Sequence, residues 1–205
     1  MYLIVYLIIR IMKTCLIILL NFVTIILFGQ TRNDTVDFKN INHSLLNDLI
    51  FEKCNNERAN ASLIPFLKHE VCFSAAKYQS DYMSFYNVLC HINNFSFQNI
   101  KLKGFQDRFD YFSKKTKKEI AFSFEVCLLR HYFHTNKITY DNLSFELISQ
   151  FMRSKPHRYF LMIEQVFDEI VYIGFSSTSN KDDEFYRIYV TGVSGVIFPK
   201  KIILN

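Results

Sequence analysis

Tryptophan is absent from this chain, and glycine and proline are scarce, with five and three among 205 residues. The glycines nowhere gather into a phosphate-cradling loop, and there is no long repeat or low-complexity tract. Nucleotide chemistry therefore has no support. No two cysteines stand in the close C-x-x-C spacing of a zinc ribbon. Strong charge of either sign is missing too. The formal net charge of +5 includes Arg10 and Lys13 near the start, so the remainder is only mildly basic. Lys114, Lys115, Lys117 and Lys118 do cluster, but without the interleaved aromatics that stack bases. A solvated loop following a helix is expected there, and no nucleic-acid partner.

What the chain has instead is apolar residues, half of its composition, with 22 Phe and 12 Tyr. Residues 1–30 are almost wholly apolar, broken only by Arg10, Lys13 and Asn21. With a start at Met12, Lys13 supplies a charged n-region, Cys15 to Phe28 an apolar core, and Gly29 a small residue for cleavage. Leu27 is larger than a signal peptidase prefers, so an uncleaved anchor is the alternative, and the only membrane contact expected. Cys15 follows Lys13-Thr14 rather than a lipobox. The segment predicts export, to the cell envelope, a periplasm or the medium, and residues 1–30 are set apart from the fold. Residues 31–43 form a polar lead-in, and residues 44–205 suit one domain with a sizeable core.

Cys54, Cys72, Cys90 and Cys127 remain, an even number that permits disulfides in three pairings. Each also lies among apolar residues, as buried thiols do. Asn60-Ala61-Ser62 and Asn94-Phe95-Ser96 are sequons with meaning only in a eukaryotic secretory pathway.

Ser44 can cap a helix with Leu45, Leu46, Leu49, Ile50 and Cys54 on one stripe, running to about Asn60. A proline-broken connector, Ile64-Pro65-Phe66-Leu67, leads to a second helix with Cys72, Ala75, Ala76, Gln79, Tyr82, Met83 and Tyr86 on one face. The two alanines permit close approach of a neighbour. Phe105 to Phe112 reads as a short amphipathic helix. A further helix follows the cap candidates Asp141 and Asn142, with Phe145, Ile148 and Met152 at helical spacing. Pro156 ends that helix and suits the first turn of another. His157 then sits in a first turn among unpaired N–H groups, where the positive end of the helix dipole favours a neutral ring. Ile170 to Phe175 is continuously apolar, as a strand covered on both faces would be. Ser176 to Glu184 reads as a polar loop, and Phe185 to Thr191 as an alternating strand. Gly192 and Gly195 permit a turn before a last strand or tail.

The order of these pieces resembles the bacterial branch of the CAP superfamily, which holds cysteine-rich secretory, antigen 5 and pathogenesis-related 1 proteins. The resemblance runs from about Ser44 to Gly192. It rests on the Pro-containing connector, the alanine-rich helix, Cys90-His91 after it, and Glu125. Ser154-Lys155-Pro156-His157-Arg158 and Ile173-Gly174 complete it. Phe124 and Val126 replace the glycine and asparagine of the family's Gly-Glu-Asn-Ile, Phe151 its tryptophan, and Lys155-Pro156 its Pro-Gly. No second cleft carboxylate stands in Met152-Arg153-Ser154-Lys155, and Glu146 has no ground for a place in the cleft. His131 and His134 are taken as loop residues in a connection longer than the family's.

The resemblance implies an α/β/α sandwich with a small antiparallel sheet, and a cleft formed by His91, Glu125 and His157. Such a cleft suits a secreted binding or interaction module with a small-molecule, lipid or protein ligand. Two imidazoles, His91 and His157, could hold Zn²⁺, which leaves water in an open position. The alternatives are a metal-assisted hydrolase with Glu125 as base, and a structural envelope protein whose cleft is inert. No catalytic nucleophile is assigned, because the proline break separates Ser154 from His157 and nothing orients the pair.

Overall fold

The computed structural model describes residues 10–16, 29–116, 121–163, 170–182 and 184–197. The chain divides at Thr31 into two units. In the first, residues 10–16 are helical, and most of the expected signal core, Cys15 to Phe28, lies outside the described residues. Among the described residues no helix is long and apolar enough to cross a membrane.

The second unit runs α1 (His43–Asn60), β1 (Leu67–Lys68), α2 (Glu70–Tyr86), α3 (Phe105–Thr116), β2 (Ala121–Phe133), α4 (Tyr140–Arg153), α5 (Lys155–Leu161), β3 (Ile170–Lys181) and β4 (Phe185–Ile197). The sheet order is β1-β3-β4-β2. The three long strands are antiparallel, and the two-residue β1 adds a parallel edge to β3. The expected sheet is thus antiparallel but for that edge. Helices lie on both faces. Val126, Leu128, Val171, Ile173, Phe175, Ile188 and Val190 point into a core shared with α1, α4 and α5. Val193 and Tyr172 turn the other way, against Val71, Cys72, Ala75, Ala76 and Phe109 of α2 and α3. This division follows from the strand period of two, which sends alternate side chains to opposite faces.

The lead-in is part of this packing. Val36 and Phe38 are buried, and the Val36 N–H donates to the Ile138 carbonyl at 2.8 Å. Helix α1 starts two residues earlier than a Ser44 cap implies, capped by Asn42, whose Oδ1 accepts the Leu45 N–H at 3.0 Å. Its buried stripe is the expected one, Leu46, Leu49, Ile50 and Cys54, with Leu45 only partly buried at its edge. On α2, Cys72, Ala75, Ala76, Gln79, Tyr82 and Met83 are buried as expected, and Tyr86 is only partly so. The close approach there is to β3. A Cβ on Gly174 would lie 2.1 Å from the Phe73 backbone nitrogen, so only glycine lets the strand pass under the helix.

Other elements differ from expectation. Helix α4 is capped by Thr139 and buries Tyr140, Leu143, Ser144, Leu147, Ile148 and Phe151. Phe145 faces solvent instead, 55% exposed, because burial follows the stripe that α1 can cover. Lys114 and Lys115 belong to the last turn of α3, where cations suit the helix dipole, and Lys117 and Lys118 lie outside the described residues. Strand β2 extends to Phe133 and takes in His131. The polar run Ser176 to Lys181 continues β3 rather than forming a loop. Its hydroxyls are satisfied by both helical layers: Thr178 donates to Asp81 at 2.6 Å, and Ser177 to Asn47 at 2.7 Å. Strand β4 runs straight through Gly192 and Gly195 to Ile197. Gly192 gives room to the Phe175 ring, whose Cε1 a Cβ would meet at 2.6 Å. The four domain cysteines are free thiols, and burial pushes Cys54 and Cys72 up to about 12.

Candidate functional site

Three segments that are remote in sequence supply His91, Glu125 and His157. His91 stands in the loop after α2, which leaves the helix at Asn87 in the left-handed conformation, φ 53°. Buried polar side chains hold that loop. Gln79 donates to the Cys90 carbonyl at 2.6 Å, and Asn93 donates to the Leu102 carbonyl at 3.2 Å. Glu125 comes from β2, where alternation turns Phe124 and Val126 to one face and Glu125 and Cys127 to the other. His157 comes from α5, which begins after Arg153 with proline in its first turn, as Pro156 dictates.

Glu125 is the hub. Its side chain is 1% exposed, and Arg108 of α3, fully buried, donates from one guanidinium nitrogen to Oε1 and Oε2 at 2.8 and 2.6 Å. The same nitrogen donates to the His91 carbonyl at 3.1 Å. His91 Nδ1 lies 3.0 Å from Glu125 Oε1. An ion-paired carboxylate only accepts, so His91 donates to it through Nδ1–H. Cys127 donates to Oε1 at 3.6 Å, and burial, with Glu125 adding to it, holds its thiol well above the ordinary range.

His91, Glu125 and His157 line one cavity of about 180 Å³, with Phe124, Val126, Pro156, Tyr159, Phe160 and Ile163. It lies against edge strand β2, where α5 comes from one face of the sheet and the His91 loop from the other. His157 packs edge-on to Phe151, ring centroids 5.3 Å apart, and is half-buried. Burial lowers its pKa, and the neighbouring His91 lowers it further. The neutral ring expected from the helix dipole is thus favoured chiefly by desolvation.

Two donor sets can be tested against a divalent metal. His91, Glu125 and Cys127 place ligand atoms within 4.8 Å of one another. That set fits poorly, since Arg108 already neutralises the carboxylate and the thiol is held protonated. The imidazoles of His91 and His157 line the same cavity. Burial favours the neutral ring at His157, and Glu125 accepts from His91 as an outer carboxylate does in metal sites. Glu146 lies elsewhere, accepting from the Tyr132 hydroxyl at 2.9 Å. His131 and His134 pack edge-on and tilted against Phe185 and Tyr186, away from the cavity.

Arg108 is the site residue that the sequence reading left unassigned. The signal was an arginine inside an amphipathic helix whose neighbour Phe109 is also buried. A larger cavity, about 510 Å³, opens at the opposite sheet edge beside His43, Asn47, Lys68, His69 and Ser177. His43 lies 2.9 Å from Ser177 Oγ and 3.2 Å from Ser179 Oγ.

No family model matches the sequence, and no curated protein does. Solved structures do align with it. An outer surface protein of Borrelia burgdorferi is 12% identical, over 80% of this chain and 97% of that one, with a TM-score of 0.52. An extracellular SCP-domain protein of Bacillus anthracis is 17% identical over 72% of this chain, TM-score 0.46, and this chain spans 40% of its length. A cysteine-rich secretory protein of Staphylococcus aureus is 14% identical over 73% of this chain and 39% of its own, TM-score 0.38. What is shared at these identities is fold alone, an α/β/α sandwich with helices on both faces of a small sheet.

Proposed function

We propose that the chain is an exported binding module whose cleft takes its ligand through His91 and His157. The observation that carries this reading is the meeting of His91, Glu125 and His157 at one small cavity, from three segments. A cavity of that size suits an ion or a small group of a larger ligand. A divalent ion such as Zn²⁺ would be held by the two imidazoles, with Glu125 and Arg108 fixing the orientation of His91. Bound there, it would supply a charged centre with open positions for a ligand. The apolar leader in the first thirty residues supports export, and one similar fold belongs to an outer surface protein. A hydrolase with Glu125 as base draws no support from the geometry, since both carboxylate oxygens already accept from Arg108.

Zinc titration by calorimetry at neutral pH tests the reading on wild type, His91→Ala and His157→Ala. Binding by wild type and loss of most affinity in each variant is the expected result. No binding by wild type, or equal binding by all three, would leave a structural protein with an inert cleft.

A further inference from the structure

The loop between α2 and α3 presents a surface that the cleft does not use. Phe85 is 70% exposed, Phe95 61%, Ile92 55% and Leu89 49%. The rings are contiguous, with centroids 4.9 Å apart for Phe85–Tyr86, 5.3 Å for Tyr86–Phe95 and 5.5 Å for Phe85–Phe97. The backbone beneath them is well tied. The Tyr82 hydroxyl accepts from the Asn94 and Phe95 N–H groups at 3.1 and 3.3 Å, and the Tyr86 hydroxyl donates to the Ser96 carbonyl at 2.7 Å. A fixed backbone that holds aromatic side chains outward is an interaction surface rather than a loosely packed loop.

Its charge says what it meets. Between Asp81 and Asp107 the sequence has no carboxylate, while Lys101 and Lys103 are exposed and form no ion pair among the described residues. Asp81 is occupied, paired with Lys77 at 2.8 Å and accepting from Thr178. Asp107 accepts the Gly104 N–H at 2.8 Å. Across the hairpin, Asp182 is paired with Arg187. Lysine is depleted in protein interfaces, but beside aromatic and aliphatic tips it suits a headgroup layer. There the rings enter the acyl boundary and the ammonium groups meet phosphate.

We propose that this loop docks the protein on an anionic lipid bilayer. The docking does not depend on metal at His91 and His157, although His91 sits between Leu89 and Ile92, so the cleft would open at the membrane surface. Because the chain has no tryptophan, Phe95→Trp in the full chain installs a single indole at the patch. Phe85→Trp gives a second reporter, and Phe145→Trp on α4 a control on the other face of the sheet. Each is mixed with phosphatidylcholine vesicles with and without phosphatidylglycerol, some carrying brominated acyl chains. The patch reporters should shift to the blue and be quenched on the anionic vesicles alone, and the control on neither. Replacing Lys101 or Lys103 by Gln should weaken vesicle affinity about fivefold each. An unshifted patch indole, or an equal shift on neutral vesicles, overturns the proposal. So does a patch indole already shifted without vesicles in a protein that sediments as a dimer, which assigns the surface to a second copy.

Discussion

Among the described residues, Glu125 and Arg108 form an ion pair with both side chains buried. Both side chains are shut away from water, and the carboxylate also holds His91 and Cys127. Removing one partner strands the other charge in the core, so Glu125→Gln should cost about 3–5 kcal/mol. Urea unfolding of the variant measures this, and a loss under about 1 kcal/mol would show that water reaches the pair. His43 provides a test of another kind. Burial lowers its pKa, Lys77 adds to that and Asp81 opposes it. The folded pKa thus lies below the unfolded value of about 6.5. The stability that goes with the neutral ring is present above that pH and is lost as pH falls through the folded value. Thermal midpoints should therefore drop on acidification below about pH 6.5, and His43→Gln should flatten the drop. His157 acts in the same direction, so the flattening is partial. An unchanged pH profile in His43→Gln would mean that the ring titrates alike in both states.

At the scale of elements, the contact of α2 with β3 is the tightest helix–sheet seam. Ala76 is fully buried, so Ala76→Leu should overpack the seam and cost about 1–3 kcal/mol. Gly174→Ala should cost at least as much, because its Cβ meets backbone, which cannot rotate away. Phe145→Ser on α4 is the control, expected within about 0.5 kcal/mol of wild type. Chemical denaturation of the three variants ranks them, and a costly Phe145→Ser would put α4 in the phase first expected of it. Of the expected stripe, Ile148 is buried and Met152 packs against the core, and only Phe145 departs, because it and the buried Leu147 and Phe151 are all apolar at helical spacing. Local spacing cannot choose between them, whereas the width of α1 does. The polar end of β3 was misread for a related reason. Serines and threonines resemble a loop until Asn47, Ser80 and Asp81 of two flanking helices are there to bond them.

For the whole molecule, the apolar leader carries a prediction of its own. A chain that lacks residues 1–29 should stay in the cytoplasm while the full chain is exported, as cell fractionation would read. Identical fractionation of the two would remove the basis for export. By itself the sequence determined the helices α1 and α2, the break at Pro156, the central strand and the chain order that resembles the CAP superfamily. These follow from apolar period, caps and proline, which act within a turn or two of chain. It also pointed to His91, Glu125 and His157, one by one. Only the tertiary structure decided that they face one cavity, that Arg108 neutralises Glu125, and that the cysteines remain thiols. It alone decided, too, that Phe85 and Phe95 stand in water. Each of those depends on distances between residues far apart in sequence, and burial, charge pairing and exposure exist only once the layers have closed around the sheet.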